Sequence, residues 1–341
     1  MSARTGMRRR GRRLGRAVGL WAGLLLGLLP GARVASASVD LMVPAGVVML
    51  DAELSVQQQD QGISTHGTAG GLREWALRSE RERREVSGDL TRSVTWLTMA
   101  ARYGLSDTWN LRLELPYGQL SQTADLTVNT ADAELAARAA TLETETLSGL
   151  GDILISSLHR PLYSDWNSLV VGLHLSLPGS GQDNPYIGRA TLALAQPLPA
   201  LAASLHYTHF PEASRSRWDL VGAWKRYGRG TVDTPLVDDR SLTLPDESAF
   251  SLHWAQELRT VTFGFGVRHE LSINTVLDGE NLNDDALAWI VQAEIGGGNL
   301  AALEEHPLAL PQAWRVAIEQ TVAGFNVPLG TVYALRYRLY F

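Results

Sequence analysis

The sequence contains no cysteine and, among its 341 residues, only one lysine, Lys225. The absence of cysteine excludes a disulfide-stabilised scaffold and Cys-ligated zinc or iron–sulfur sites. The mean hydropathy of −0.06 excludes a polytopic helical membrane protein. No G-x-G-x-x-G or other nucleotide-binding loop is present. We therefore expect no cofactor and no bound metal.

The first 37 residues have the layout of a secretory signal peptide. Seven arginines and no acid lie in residues 1–16, and an apolar segment follows at 17–32. The small residues Ala35-Ser36-Ala37 then form a cleavage pattern. A membrane anchor is the alternative, but the apolar segment is shorter than the roughly twenty residues that a membrane helix needs. The sequence predicts a signal peptide over 1–37 and an exported domain over 38–341.

Removal of this segment makes the chain strongly acidic. Eight arginines and no acids leave with residues 1–37, so the formal net charge changes from −6 to −6 − 8 = −14. Such acidity argues against nucleic acid as a partner, because the phosphate backbone attracts cationic surfaces. An exported chain without cysteine is compatible with a bacterial envelope.

The dominant pattern of the exported chain is alternation of apolar and polar residues. In the last segment, one face carries Tyr333, Leu335, Tyr337, Leu339 and Phe341, and the opposite face carries Arg336 and Arg338. Successive side chains of a strand point to opposite faces, so this segment predicts a strand with one oily and one ionic face. Similar segments recur along the chain, for example at 48–57, 110–117, 169–177, 261–268 and 313–319.

These segments predict an all-β transmembrane antiparallel up-and-down β-barrel. They extend over about nine to twelve residues, which matches a tilted strand that crosses a bilayer. A soluble sandwich or lipocalin-like barrel could show the same alternation with its apolar face inside. The strand length, the export signal and the alternating aromatic C-terminal strand favour the membrane barrel.

The pattern leaves two possible numbers of strands. Strands assigned from both ends give thirteen, including one near 188–196, whereas a barrel with both ends on one side needs an even number. We predict about twelve, with fourteen as the alternative if a further strand lies near Ser241–Leu244. The segments 58–90 and 118–148 are predicted as long external loops.

Charged residues on the polar faces are candidates for the barrel interior. Charged rings set selectivity in channels, although such residues can also pair across a small barrel and fill it. The lumen-facing candidates are Asp51, Glu53, Arg112, Glu114, Arg268, Glu270, Glu294, Arg315, Glu319, Arg336 and Arg338.

Three functions remain open. The first is a porin-like passive channel or binding barrel for a small solute. The second is an outer-membrane enzyme of the lipase or protease type, for which His174, His206 and His253 lie near strands, although no G-x-S-x-G is present. The third is a structural or surface-recognition barrel that uses its long loops. We identify no catalytic residue and favour the first.

Several segments resemble known outer-membrane families. The C-terminal strand with Tyr333, Leu335, Tyr337, Leu339 and Phe341 resembles the strand recognised by barrel assembly machinery. The segment Arg102–Tyr117, the motif 148–153 (SGLGDI) and the motif 175–179 (LSLPG) resemble units of an uncharacterised proteobacterial outer-membrane β-barrel family. That family is related to transporter barrels of the phenol-degradation meta-pathway type.

This resemblance covers less than half of the chain. It implies a location in the outer membrane of a Gram-negative cell and contact with outer-membrane lipid and lipopolysaccharide. Residues 119–146 lack the Gly-Gly, Asp and Phe-His pattern of the related loop, so no role of that loop is transferred.

Overall fold

The computed structural model describes eleven parts of the chain between residues 42 and 341. These parts are residues 42–63, 69–72, 84–129, 144–179, 194–211, 215–232, 240–258, 261–273, 275–281, 285–298 and 311–341. The predicted signal peptide, residues 131–142 and most of 72–86 lie outside them. No helix of the described residues is long and apolar enough to cross a membrane.

The described residues form eighteen strands. They are β1 Val48–Ile63, β2 Ala69–Gly71, β3 Val86–Gly104, β4 Trp109–Val128, β5 Glu145–Leu150, β6 Ile153–Tyr163, β7 Asn167–Leu177, β8 Ala200–His209, β9 Ser216–Tyr227, β10 Arg229–Val232, β11 Arg240–Thr243, β12 Asp246–Leu258, β13 Val261–Ile273, β14 Val276–Leu277, β15 Glu280–Asn281, β16 Ala286–Gly298, β17 Gln312–Phe325 and β18 Val327–Tyr340.

Twelve of these strands form a closed antiparallel ring, as predicted. Their order is β1, β3, β4, β6, β7, β8, β9, β12, β13, β16, β17 and β18, and β18 pairs with β1 to close the ring. This closing pair extends from Met49 opposite Tyr340 to Ile63 opposite Val327. Closure satisfies backbone groups that would otherwise be unpaired at two sheet edges.

Two strand assignments from the sequence need correction. Residues 194–196 are not in a strand, and the rest of the predicted strand 188–196 lies outside the described residues. The strand expected near Ser241–Leu244 exists as β11, but it belongs to a separate four-stranded sheet with β10, β14 and β15. The alternation there therefore reflects a small loop sheet and not a fourteenth strand of the ring.

The strands beside the closing pair are longer than the sequence pattern predicts. β3 has 19 residues and β4 has 20, so both extend well into the predicted loops 58–90 and 118–148. In the added residues of these strands, outward positions are occupied by glutamine, serine and threonine instead of leucine. Beyond the hydrocarbon an outward face has no need of apolar residues, so the alternation disappears although the strand continues.

The two ends of the ring differ in their connections. Residues 105–108 and 164–166 join strands at one end, which we call the turn end. There Ser106 Oγ accepts a hydrogen bond from the Trp109 amide at 3.0 Å, and Ser164 Oγ accepts one from the Asn167 amide at 3.0 Å. Serine hydroxyls commonly close such tight turns. Most long connections lie at the opposite end, the loop end.

The barrel exposes its apolar side chains and buries its charges. Leu173, Leu201 and Phe265 are each more than half exposed, whereas inward-pointing arginines and carboxylates are buried. A protein in water has the opposite distribution. Outward aromatic residues lie near the turn end (Tyr103, Trp109, Tyr163, Trp166, Trp314, Tyr337, Phe341) and again nearer the loop end (Tyr117, Trp224, Phe250, Trp289, Tyr333). Two such belts mark the boundaries of a bilayer.

Candidate functional site

Ion pairs follow the closing strands inside the ring. Arg338 on β18 pairs with Asp51 on β1, directly opposite it in the register. Arg336 pairs with Glu53, with Nη2 at 2.5 Å and Nε at 2.6 Å from the same oxygen Oε2. Because all four side chains are buried, these pairs connect the first and last strands of the ring with charge-assisted bonds.

A second group of charges spans the interior between β9 and β17. Glu294 on β16 lies between Arg315, whose Nη2 is 2.6 Å from Oε2, and His253, whose Nε2 is 2.9 Å from Oε1. The other ring nitrogen of His253 lies 3.6 Å from Asp219 Oδ2. Asp219 also accepts bonds from Arg217 Nε and Thr208 Oγ1, both at 2.8 Å. The imidazole is thus held between two buried carboxylates.

The remaining predicted charges are paired in the same way. Arg268 lies 2.8 Å from Glu270 and 2.9 Å from Glu319, and Arg112 lies 2.5 Å from Glu114. All eleven lumen-facing candidates therefore lie on the inner side of the ring and are fully or largely buried. We call this set, together with His253 and Asp219, the ionic layer. Its selectivity role stays a prediction.

Two other histidines form a hydrogen-bonded chain with serines inside the ring. His174 Nδ1 lies 2.9 Å from Ser156 Oγ, and its Nε2 lies 2.8 Å from Ser204 Oγ. His206 Nε2 lies 3.1 Å from the same Ser204 hydroxyl. Among the described residues, His174 hydrogen-bonds to two serine hydroxyls and to no carboxylate, unlike the acid-oriented histidine of a catalytic triad. The geometry gives no support to the enzyme alternative.

Gly172 makes room for this chain of histidines and serines. A Cβ at Gly172 would lie 2.5 Å from both His174 Nε2 and Ser204 Oγ. Any larger residue on the inner face of β7 would therefore displace one of the two side chains.

The segment before β1 closes the turn end of the ring. Met42 packs with the inward residues Leu158 and Val170, and Val43 packs with Met49 and Tyr340. Asn110, fully buried on β4, fixes Val43 through both backbone groups. Its Oδ1 accepts from the Val43 amide at 2.7 Å, and its Nδ2 donates to the Val43 carbonyl at 3.0 Å.

Apolar side chains fill the interior nearer the loop end. Trp96 on β3 packs with Val94, Leu120 and Leu194, the last from the segment before β8. Glycines make space for the indole, since a Cβ at Gly118 would lie 2.5 Å from Trp96 and one at Gly151 would lie 2.8 Å from it. We call this group the Trp96 cluster.

The motif around Gly151 holds the segment 194–199 in this position. Asp152 Oδ1 accepts a hydrogen bond from the Gln196 amide at 2.8 Å, and Oδ2 accepts one from Ser176 Oγ at 3.3 Å. Gly179 packs on the carbonyls of Leu150 and Gly151, because a Cβ there would lie 2.2 to 2.3 Å from their oxygens. The two glycine motifs noted in the sequence are therefore in contact.

A second apolar group lies beside the first. Leu198, Ala200, Tyr227, Leu242 and Leu244 form one buried group. The only lysine, Lys225, lies with its Nζ 4.4 Å from the Tyr227 ring centre and 3.9 Å from Asp152. Tyr227 donates to Glu247 at 2.8 Å.

Sequence reasoning missed the apolar interior and the segment that closes the turn end. Trp96 follows the inward parity of β3, but an inward tryptophan contradicts the simple rule of a polar lumen. Met42 and Val43 precede the first alternating segment and give no periodic signal. Asp152 could have been found, because it ends the glycine motif that carries the family resemblance.

The shape of the chain is similar to that of solved outer-membrane proteins. An outer-membrane channel from Pseudomonas putida F1 superposes with a TM-score of 0.66 at 16% identity, covering 92% of this chain and all of that one. The β domain of the Bordetella autotransporter BrkA gives 0.47 at 11% identity over 87% of this chain and all of that one. The monoaromatic hydrocarbon channel CymD gives 0.45 at 10% identity over 94% of each chain.

No family model and no curated protein matches the sequence. The first similarity establishes that this chain has the fold of an outer-membrane channel. The predicted resemblance to outer-membrane transporter barrels is confirmed at the level of the fold.

Proposed function

We propose that this protein is a passive outer-membrane barrel that admits and binds a small, largely apolar solute. The observation that carries the proposal is the Trp96 cluster together with the group around Tyr227. These groups place aromatic and aliphatic side chains inside a ring whose other inward residues are mostly ionic. Binding sites for small molecules are typically apolar with a few placed polar groups, here Lys225, Asp152 and Glu247.

The ionic layer argues against a wide aqueous pore. In a general porin, water reaches the charges that line the lumen. Here Asp51, Glu294 and Arg315 are only 8%, 7% and 3% exposed. The pairs fill the interior, so a solute path through the described part of the barrel is narrow.

Entry of a solute into the apolar region requires movement of the segment that carries Leu194. One of the hydrogen bonds that hold this segment is donated by the Gln196 backbone amide to Asp152. One hydrogen bond to a charged acceptor contributes about 1.5–3 kcal/mol. The hydrogen bond to Asp152 is therefore one of the contacts that a ligand would break on displacing the segment.

The placement in the cell is part of the same proposal. Signal peptide 1–37 exports the chain, and the outward aromatic face of β18 is bound by the barrel assembly machinery. The fold shared with the P. putida channel supports both the outer-membrane location and a channel function.

An uptake assay tests the function. Cells that carry the barrel are mixed with the apolar fluorophore N-phenyl-1-naphthylamine, whose unaided entry is slowed by the lipopolysaccharide leaflet. We expect faster entry than in cells without the barrel. Trp96→Ala should change the rate at least threefold, because it removes the largest apolar surface of the binding region.

The matched control is Trp254→Ala. Trp254 is also a tryptophan on a ring strand, but it packs outward against Phe263 and Phe265. Its replacement should leave uptake unchanged. Equal uptake with and without the barrel, at equal amounts of folded protein, would refute the proposal.

A further inference from the structure

A row of polar side chains crosses the outer surface of the barrel where lipid-facing residues would be expected. The register places these residues directly opposite one another on six neighbouring strands. From β17 to β5 the row is Gln320, Thr331, Gln58, Ser93, Ser121 and Thr146. Thr331 Oγ1 donates to Gln320 Oε1, and Ser121 and Thr146 hydroxyls lie 3.4 Å apart.

The outward direction of the row follows from its neighbours on the same strands. Thr331 is two residues from Tyr333 and Gln58 is two residues from Val56, and side chains two apart share a face. Tyr333 is exposed, whereas the intervening inward residues Gln57 and Gln59 are buried.

The row lines a concave site. A cavity of about 590 Å³ is bordered by every member of the row except Thr146, and by Asp60, Thr91, Thr123 and Tyr333. The pairing of β1 with β18 shifts between Gln59 and Gln61, which leaves Asp60 as a bulge at the edge of this cavity. Bulges bend a strand locally and increase its twist, so the surface is not flat here.

The described residues of β7 carry no such row. On β7 the outward residues up to the loop end are Leu169, Val171, Leu173, Leu175 and Leu177, and β8 begins with outward Leu201. The row therefore does not continue onto β7, and it does not result from all strands leaving the membrane at the same level.

The position of the site fits the headgroup zone of the outer leaflet. On β18, Thr331 is the next outward residue beyond Tyr333, which belongs to the aromatic belt on the loop side. Aromatic belts mark the level of lipid headgroups. Side chains just beyond the belt therefore face the polar part of a neighbouring lipid while the residues below face its acyl chains.

The chemistry of the lining favours sugar over phosphate. Beside the apolar Val322 and Leu329, the outward polar side chains offer amides and hydroxyls, which both donate and accept hydrogen bonds. Among the described lining residues, the one outward charge is the carboxylate of Asp60, which repels phosphate. Arg92 contributes to the lining, but its guanidinium is buried and donates to Gln122 at 3.0 Å. Phosphate sites instead use arginine and lysine.

We propose that this outer groove binds the amino-sugar headgroup of an outer-leaflet glycolipid, the glucosamine disaccharide of lipopolysaccharide. The sugar hydroxyls exchange hydrogen bonds with Gln58, Ser93 and Thr331, and the acyl chains lie along the leucines below. The site is distinct from the barrel interior and does not depend on solute uptake.

The test is native mass spectrometry of the mature chain after its release from detergent. The chain is mixed in separate samples with lipid A, with lipid A whose phosphates have been removed, and with phosphatidylglycerol. We expect both lipid A forms to remain bound and phosphatidylglycerol to be lost. The double variant Gln58→Leu/Ser93→Leu should bind dephosphorylated lipid A at least tenfold more weakly.

The control is Ser157→Leu, a serine-to-leucine change on the outward face of β6, which should bind like the wild type. Slower migration of heated samples in gels verifies that each variant is folded, and Thr91→Ala serves as a milder variant if the double change fails to fold. Binding that requires the lipid phosphates, or that survives the double change, would overturn the proposal.

Discussion

Replacing Leu173 by arginine tests the lipid-facing assignment of the outer surface. Leu173 lies at the middle of β7 between Ser157 and Ala203 of the neighbouring strands, and it is 64% exposed. An outward arginine at the midplane of a bilayer costs about 2–4 kcal/mol. Since 1.4 kcal/mol is a factor of ten, the folding equilibrium should decrease about 30- to 700-fold.

The control is the same substitution at the membrane boundary. Leu105 is 54% exposed in the turn between β3 and β4. An arginine near the interface costs about 0–1 kcal/mol. Both changes replace an exposed leucine by arginine, one at the middle of a strand and one at the membrane boundary.

The measurement is equilibrium unfolding of the mature chain in phospholipid vesicles with guanidinium chloride, followed by tryptophan fluorescence. Leu173→Arg should lower the free energy of unfolding by at least 1 kcal/mol more than Leu105→Arg. Equal values for the two variants would show that Leu173 does not face hydrocarbon and would refute the barrel orientation argued above.

Three further changes probe the interior. Glu294→Gln removes the buried carboxylate that pairs with Arg315 and contacts His253, and it should cost about 3–5 kcal/mol of folding free energy in the same unfolding assay. A loss below 1 kcal/mol would contradict the ionic layer. Gly172→Ala should lower the free energy of unfolding by about 1–3 kcal/mol, because the new Cβ conflicts with the histidine–serine chain. Gly222→Ala should be nearly neutral, because a Cβ there meets nothing within 4 Å. Equal effects of the two changes would be inconsistent with this account. Asn110→Ala releases the segment before β1 at the turn end and should raise single-channel conductance in planar bilayers. Asn167→Ala, at the same end but without a bond to that segment, should leave the conductance unchanged. Unchanged conductance in both variants would contradict the role of Asn110 in holding the segment.

The fold could be predicted largely because a membrane barrel depends on a local pattern. Leu335, Arg336 and Tyr337 alternate in the sequence and alternate between lipid and interior in the structure. The alternating pattern is missing where the strands extend beyond the hydrocarbon layer that requires it. Gln58 and Ser121 lie beyond the hydrocarbon, so nothing required leucine there, and the sequence suggested loops where β1 and β4 continue.

The sequence predicted which side chains point into the barrel, but not which of them pair with one another. The sequence indicated that Glu53 and Arg336 point inward, yet they are 283 residues apart and meet only because β18 pairs with β1. The contacts of Asp152 with Gln196, and of Asn110 with Val43, likewise join segments that are distant in the chain or lack periodicity.

The sequence by itself determined which side chains face lipid and which face the axis, because each strand must separate its apolar and polar residues locally. Only the tertiary structure decided which charges neutralise one another, where apolar groups enter the lumen and where a polar groove forms outside. Those features depend on the register between strands and on the curvature of the closed ring, and both arise from hydrogen bonds between segments that no local pattern relates.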